Sequence, residues 1–449
     1  MRVTRAAARA ALERKTTDDS TSFRILDLPP ELVEEIFDHF TEPDDNALFN
    51  VRRVCRVFRD LSFKPFGSKY FRHLVVMLHP LSLTVLLEIA SHRRLAPFVH
   101  QITVSGERIG GVIDMLGGED EQEQKDLQTS MLNSEMDRLM LTDVFYKLSG
   151  LNLSIVRIDN ESFSVDPFPN ALRCGSKYIF KGATGTNWRL SQDEINPAVS
   201  AVVASISDTG SVPCIEMVID VREPDCQDFF DPTSATWKSD VGESIVLLHL
   251  SGELDSEWAL NLLRYADRLC TLEVIFAVGL FKFTHPDTGP LRWPELQQIR
   301  LDNVYCNGKE LTDFFNAHNS TLLFLDLSEV HLMSGSWKDI FQIWRKKLGL
   351  VTLMIDALTE TSAPATHLEP LWAQLPRFED LPNLRISYID RADILAMLDA
   401  LLYDFRTTDF QRSSGYLGSP MYRVDFRLAC AVHVGRAEIR DGTCRLLEL

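Results

Sequence analysis

Thiols are scarce in this chain of 449 residues: there are eight cysteines, at 55, 174, 214, 226, 270, 306, 430 and 444, and no CxxC pair. Cysteines spread this thinly argue against a disulfide scaffold or a zinc site and favour a reducing compartment, so a cytoplasmic and/or nuclear location is expected. Basic excess is also missing. Lys plus Arg number 46 against 64 Asp plus Glu, a formal net charge of −18. That balance repels phosphates and anionic lipid headgroups, which excludes nucleic acid and membrane surfaces as expected partners. The longest apolar run, Leu74 to Leu87, is broken by His79 and Pro80 and is too short to span a bilayer.

Local signatures of catalysis are absent. The sequence holds no HExxH, no P-loop, no GxGxxG after a strand and no GxSxG, so neither a catalytic residue nor a cofactor is expected. Its eleven histidines have no metal-ligand spacing. No metal is therefore expected, and His249 and His318 read as structural histidines. Trp258, Trp337 and Trp344 fall on apolar faces of predicted helices and read as core packing.

What is present supports a folded chain longer than one compact core, with 45% hydrophobic and 24% charged residues. Residues 1–22 form a basic and polar tail that ends in TTDDSTS and has too little apolar content to pack. From Leu28 the sequence reads LPPELVEEIFDHF, which places Leu32, Val33, Ile36, Phe37 and Phe40 on one helical face behind two prolines suited to a helix start. TEPDD makes the turn. Leu48, Val51, Val54, Cys55, Phe58 and Leu61 then mark one or two further helices with Arg52, Arg53, Arg56 and Arg59 between them, so a compact trio of helices is expected over 23–65.

Beyond residue 70 a short template recurs: apolar, two residues, apolar, one residue, apolar. Its clearest copies are Leu296-Ile299-Leu301, Leu322-Leu325-Leu327 and Leu350-Leu353-Ile355, with looser ones from Phe71-Leu74-Val76 through Leu272-Ile275-Ala277 to Leu381-Leu384-Ile386. From residue 245 the copies are spaced as a unit of one strand and one helix requires. Glu257–Leu269, Lys309–His318 and Trp337–Leu348 supply the helices. The expected fold is therefore α/β: three N-terminal helices, then an irregular solenoid with a parallel sheet over 66–400, insertions near 107–150 and 160–210, and a C-terminal cap over 401–449.

The N-terminal helices resemble an F-box. Leu28-Pro29, Glu31-Leu32, Ile36-Phe37, Phe40, Leu48, Val51, Val54-Cys55 and Phe58 stand in the order and spacing of that family, with Arg53 and Phe40 as departures. The remainder resembles fungal-type F-box proteins with degenerate leucine-rich repeats. The resemblance implies that Leu28, Pro29, Ile36, Phe37, Leu48 and Val54 pack on a Skp-type adaptor, which in turn holds a cullin. It also implies a non-catalytic substrate-recognition subunit of an SCF-type ubiquitin ligase whose repeat domain binds a target protein. The alternative is a repeat scaffold whose F-box serves adaptor binding or stability without target ubiquitination. Strand alternation puts Gln298, Arg300, Asp302, Phe324, Asp326, Ser328, Thr352, Met354 and Asp356 on the concave side of the sheet. Arg300, Asp302, Phe324, Asp326, Met354 and Asp356 are the expected target-binding residues.

Overall fold

The computed structural model describes residues 25–40, 47–109, 119–160, 163, 171–180, 190–191, 195–210, 214–221, 231–234, 237, 241–252, 256–276, 280–347, 349–356, 358–361 and short pieces at 386–388, 394–395, 398, 437–440 and 443–446. By internal packing the chain divides into two units, 1–71 and 72–449.

Among its described residues the first unit holds four α-helices, α1 (Pro30–Asp38), α2 (Ala47–Val54), α3 (Arg56–Leu61) and α4 (Phe63–Tyr70): the three expected over 23–65 and a fourth that runs on to Tyr70. The apolar spacing runs on from α2 into α3, but Cys55 is extended (φ −156°, ψ 170°) and breaks the helix there. Its thiol then accepts from the Phe58 N–H at 3.4 Å and caps α3. Val33, Phe37 and Leu48 form the buried centre, with Leu28, Ile36, Val51, Phe58 and Phe66 packed around them. Phe37 meets Phe58 edge-on at 5.5 Å. Lys69 Nζ donates to the Phe40 carbonyl at 3.0 Å and ties the end of α1 to α4.

The second unit is built on nine parallel strands paired in chain order: β1 (His73–Met77), β2 (Gln101–Ser105), β3 (Ile155–Asp159), β4 (Cys214–Val221), β5 (Ile245–Gly252), β6 (Thr271–Phe276), β7 (Gln298–Asp302), β8 (Phe324–Ser328) and β9 (Thr352–Asp356). Register brings one apolar residue of each strand into a single ladder of Val76, Val104, Ile158, Met217, Leu248, Leu272, Ile299, Leu325 and Leu353. None of the nine is more than 1% exposed. This ladder is the spine of the core, because a period of two sends alternate side chains to opposite faces. The ladder takes the middle position of the sequence template at Met217, Leu248, Ile299, Leu325 and Leu353 and its last position at Val76, Val104 and Ile158, which is why the template recurs.

Parallel neighbours need a crossover, and helices fill most of the gaps. They are α5 (Pro80–Ser91) after β1, α6 (Glu119–Asn133) and α7 (Met136–Leu148) after β2, α8 (Asn196–Thr209) after β3, α9 (Ser256–Arg264) after β5, α10 (Gly308–Ala317) after β7 and α11 (Trp337–Lys347) after β8. Four short parallel strands, Leu280–Phe281, Tyr305–Asn307, His331–Ser334 and Thr359–Glu360, make a second sheet. Asn303 and Glu329, both at φ 53°, turn the chain from β7 and from β8 into it. Trp337 and Trp344 are 1% exposed and lie in an aromatic seam with Phe315 and Phe341, the packing role expected of them; Trp258 is half-buried.

Several expectations are corrected. The sheet is parallel, but the structure shows no leucine-rich-repeat solenoid. Between β6 and β7, where the sequence names no helix, the described residues hold a small antiparallel pair, Thr284–His285 with Gly289–Pro290. The sheet ends out of pattern on both sides, with Leu172–Arg173 added outside β1 and Ile386–Tyr388 antiparallel to β9. The copy read as Leu272-Ile275-Ala277 is out of register: Leu272 and Val274 point inward at 0% exposure while Ile275 is half-buried, so the true copy is Leu269-Leu272-Val274. Leu381 and Leu384, Asp356 beyond its backbone, the tail 1–22 and most of 401–449 lie outside the described residues.

Within the second unit, the start of α10 approaches the next strand-and-helix unit backbone to backbone at Gly308. A Cβ built on Gly308 would stand 2.4 Å from the Ser334 carbonyl oxygen. Gly308→Ala should therefore force the start of α10 away from the next unit and cost about 1–2 kcal/mol, as overpacking does. A urea midpoint unchanged from the native chain would show that the contact yields freely.

Burial also fixes the protonation of several histidines. His79 is fully buried and its Nδ1 accepts from the Leu81 N–H at 3.2 Å, capping α5. Burial pushes its pKa from 6.5 down to about 4. Stability from the neutral ring is complete above pH 6.5 and is lost as pH falls toward 4, since the unfolded chain then binds a proton that the folded chain refuses. At pH 5.5 this loss is about 1.4 kcal/mol, one pH unit below the unfolded value. His79→Asn keeps a capping oxygen but no proton, so its urea midpoint should fall less between pH 7 and 5.5 than that of the native chain.

Candidate functional site

Two surfaces contain the residues singled out from the sequence. On the helical unit, the six adaptor-facing candidates separate by depth. Phe37 and Leu48 are 2% and 1% exposed and lie inside the unit's own core. Leu28 and Ile36 are half-buried at its edge, and Pro29 and Val54 are exposed. The apolar surface open to a partner includes residues that the sequence reading did not single out for docking: Leu26, Leu32, Phe49 and Val57 are exposed beside the candidates in the chain. Val54 itself is 68% exposed, the most among the unit's described large apolar residues. Arg53 reaches solvent, as its place on an otherwise apolar motif requires.

Arg52 holds the scaffold of this surface. Its guanidinium carbon lies 4.0 Å from the Phe66 ring centroid, and its NH1 donates to the Arg59 carbonyl at 3.0 Å. Both contacts tie α2 to α3 and α4 across the break at Cys55.

The second surface is the face of the sheet opposite the apolar ladder. One register row there reads His249, Glu273, Arg300, Asp326 and Met354 across β5 to β9. His249 Nδ1 and Glu273 Oε2 are 2.7 Å apart. Arg300 lies 3.3 Å from Asp302 and 3.6 Å from Asp326, the second distance being that of an ion pair without a good hydrogen bond. Nearer β1, Arg157 bridges Asp159 at 3.0 Å and Glu216 at 3.3 Å. Alternating charge thus crosses the sheet strand by strand.

Electrostatics follow from that row. Burial alone would raise the Glu273 carboxyl, but the His249 hydrogen bond and the charges of His249, Arg300 and Arg157 outweigh it and hold the pKa below the usual range. Burial likewise works against the Arg157 cation, and Asp159 and Glu216 more than offset it. His73 on β1 is pushed down to about 4 by burial and by the Arg157 charge, while its Nε2 stands 2.7 Å from Thr103 Oγ1.

This face is less open than the sequence implied. Asp326, expected to be exposed, is 5% exposed, because Arg300 draws it into the row. Arg300, Asp302, Phe324 and Met354 are half-buried. The side chain of Asp356 lies outside the described residues. Arg157, Glu216, His249 and Glu273 were missed as members of the face, although each lies next to an apolar position of an earlier template copy.

Among the described residues no group of three or more His, Cys, Asp or Glu is placed to hold a metal ion, and no helix is long and apolar enough to cross a membrane. Buried Cys174 and Cys306 have thiols pushed up to about 12 by burial, the reverse of what a reactive thiolate needs. His318 is a structural histidine: its Nε2 accepts from the Trp293 N–H at 2.9 Å and its Nδ1 lies 2.8 Å from the Phe314 carbonyl.

No curated protein sequence matches the chain. Residues 25–71, the four-helix unit with its exposed apolar surface, match the family model described as F-box-like, and an F-box-like domain is what this chain carries at its N-terminal end.

Proposed function

We propose that the F-box-like unit docks this chain on a Skp-type adaptor and through it on a cullin, and that the second unit receives a target protein for ubiquitination. The observation that carries the reading is the F-box-like match over 25–71 together with apolar side chains left in water on that unit. A small helical unit with its own core full and Leu32, Val54 and Val57 still exposed has surface that only a partner removes from water. On this reading the chain is not an enzyme; it raises the local concentration of target at a ligase whose other subunits make the isopeptide bond. It works in the cytoplasm and/or nucleus.

Pull-down of a purified Skp-type adaptor by the full chain tests the first half. Leu32→Ser with Val54→Ser should weaken binding at least tenfold, about 1.4 kcal/mol, with helicity retained, because both side chains lie outside the core. Adaptor binding equal to native by the folded double variant would move the docking surface elsewhere. Ubiquitination of a co-purified protein that requires this chain tests the second half.

A second reading has an observation of its own. The charged groups on the open sheet face already pair with one another, which suits a scaffold that binds the adaptor and delivers no target. Adaptor binding with no chain-dependent ubiquitination of any co-purified protein is the result expected from it.

A further inference from the structure

Charge is segregated on the helical unit. α1 carries Glu31, Glu34, Glu35 and Asp38, whereas α2 and α3 carry Arg52, Arg53, Arg56 and Arg59 against a single acid, the exposed Asp60. Arg52 is engaged internally by Phe66 and the Arg59 carbonyl. Arg53, Arg56 and Arg59 are exposed, and among the described residues none of their guanidinium groups makes an ion pair. Within the same stretch Val54 and Val57 are 68% and 51% exposed.

A solvated helix face accounts for the arginines but not for the valines. β-Branched residues lower helix propensity, and a polar residue at either position would suit water better. Unpaired guanidinium groups around exposed aliphatics fit a partner whose apolar side chains are flanked by carboxylates, since the planar fork of arginine matches a carboxylate with two parallel hydrogen bonds. We propose that the partner segment seated on α2 and α3 is acidic: the adaptor meets this chain with an apolar strip bordered by Asp or Glu, and Arg53, Arg56 and Arg59 guide and orient it. The inference rests on the adaptor-docking reading and adds to it the chemistry of the contact.

Affinity of the full chain for a purified Skp-type adaptor, measured across a salt series, tests it. Between about 50 and 500 mM NaCl the native Kd should rise about tenfold, as screening shortens the reach of surface charge. Arg53→Glu with Arg56→Glu should weaken binding about tenfold at low salt and flatten the salt dependence, because charge reversal replaces attraction by repulsion. Val54→Ser with Val57→Ser should weaken it at every salt concentration and leave the slope intact. Helicity by circular dichroism is compared for each variant, and Arg56→Gln alone replaces any charge-reversal pair that loses structure. Adaptor binding that neither salt nor charge reversal alters overturns the acidic partner while leaving docking in place. Failure of the native chain to bind the adaptor at any salt concentration overturns docking itself, and this inference with it.

Discussion

Phe37→Ala is expected to unfold the F-box-like unit and abolish adaptor binding while the sheet unit stays folded. The side chain is 2% exposed, packs against Phe40 and edge-on against Phe58, and shares the buried centre with Val33 and Leu48. Truncating a buried phenylalanine costs about 3–5 kcal/mol, from lost transfer energy plus the cavity left behind. A helical unit this small seldom has more than about 3–5 kcal/mol to lose. Limited proteolysis should then cut within 25–71 and spare the sheet. Ile36→Ala is the control: its half-buried side chain lies at the edge of the same core, so the unit should survive and any loss of adaptor affinity is then a loss of contact. If Phe37→Ala remained protease-resistant and bound the adaptor as the native chain does, Phe37 would not be the core residue that its burial indicates.

That contrast shows how far the F-box motif could be read without coordinates. The order Leu28-Pro29, Ile36-Phe37, Leu48 and Val54 identifies the unit, because those spacings set helical faces. It does not separate residues that hold the unit together from residues that a partner touches. Phe37 and Leu48 share the apolar character of Val54 and differ from it only in depth, which depends on how α1 and α2 cross. The break at Cys55 was hidden for a related reason. Apolar spacing passes through it unchanged, and the cap is made by a thiol, which is not among the usual capping groups.

In the sheet unit the strands were legible where their inward residues are large aliphatics in strict register, as at Leu325 and Leu353. They were misread where the neighbourhood is uniformly apolar. Around β6 the run Leu272, Val274, Ile275 and Phe276 permits two frames, and only pairing with Ile299 and Leu301 selects the first. The wrong frame concealed Glu273, and with it the charged row. A row assembled by parallel pairing of residues some two dozen positions apart has no local signature; it emerges once every copy is in frame and the residue between the last two apolar positions is read across strands.

Arg300 was chosen from the sequence as a target contact, and its surroundings give it a second duty. Arg300→Ala should destabilise the sheet unit by about 2–4 kcal/mol, the upper part of the range for breaking a buried pair being discounted because the side chain is 23% exposed. The reason lies in what remains. Glu273 and Asp326, with 13% and 6% of their side-chain surface exposed, would face each other across β7 with no cation between them, and Glu273 would keep His249 and the charge of Arg157 alone. The pH dependence carries the signature. In the native chain the Glu273 pKa is depressed, so its pairing contributes stability above the unfolded carboxylate value and loses it as pH falls through the folded value. Without Arg300 that contribution shrinks, and the urea midpoint of the variant should approach the native one as pH is lowered from 7 toward 4. Adding Glu273→Gln and Asp326→Asn to Arg300→Ala should restore part of the loss at pH 7, because neutral amides tolerate one another where two carboxylates do not. For the same reason, loss of a target upon replacing Arg300 alone would not identify a contact. Phe324→Ala and Met354→Ala, which remove apolar surface without stranding a charge, are the substitutions that separate target binding from folding. A stability unchanged in Arg300→Ala at pH 7 would mean that the row is held by solvent rather than by its own charges, and would return Arg300 to the list of contacts that can be tested singly.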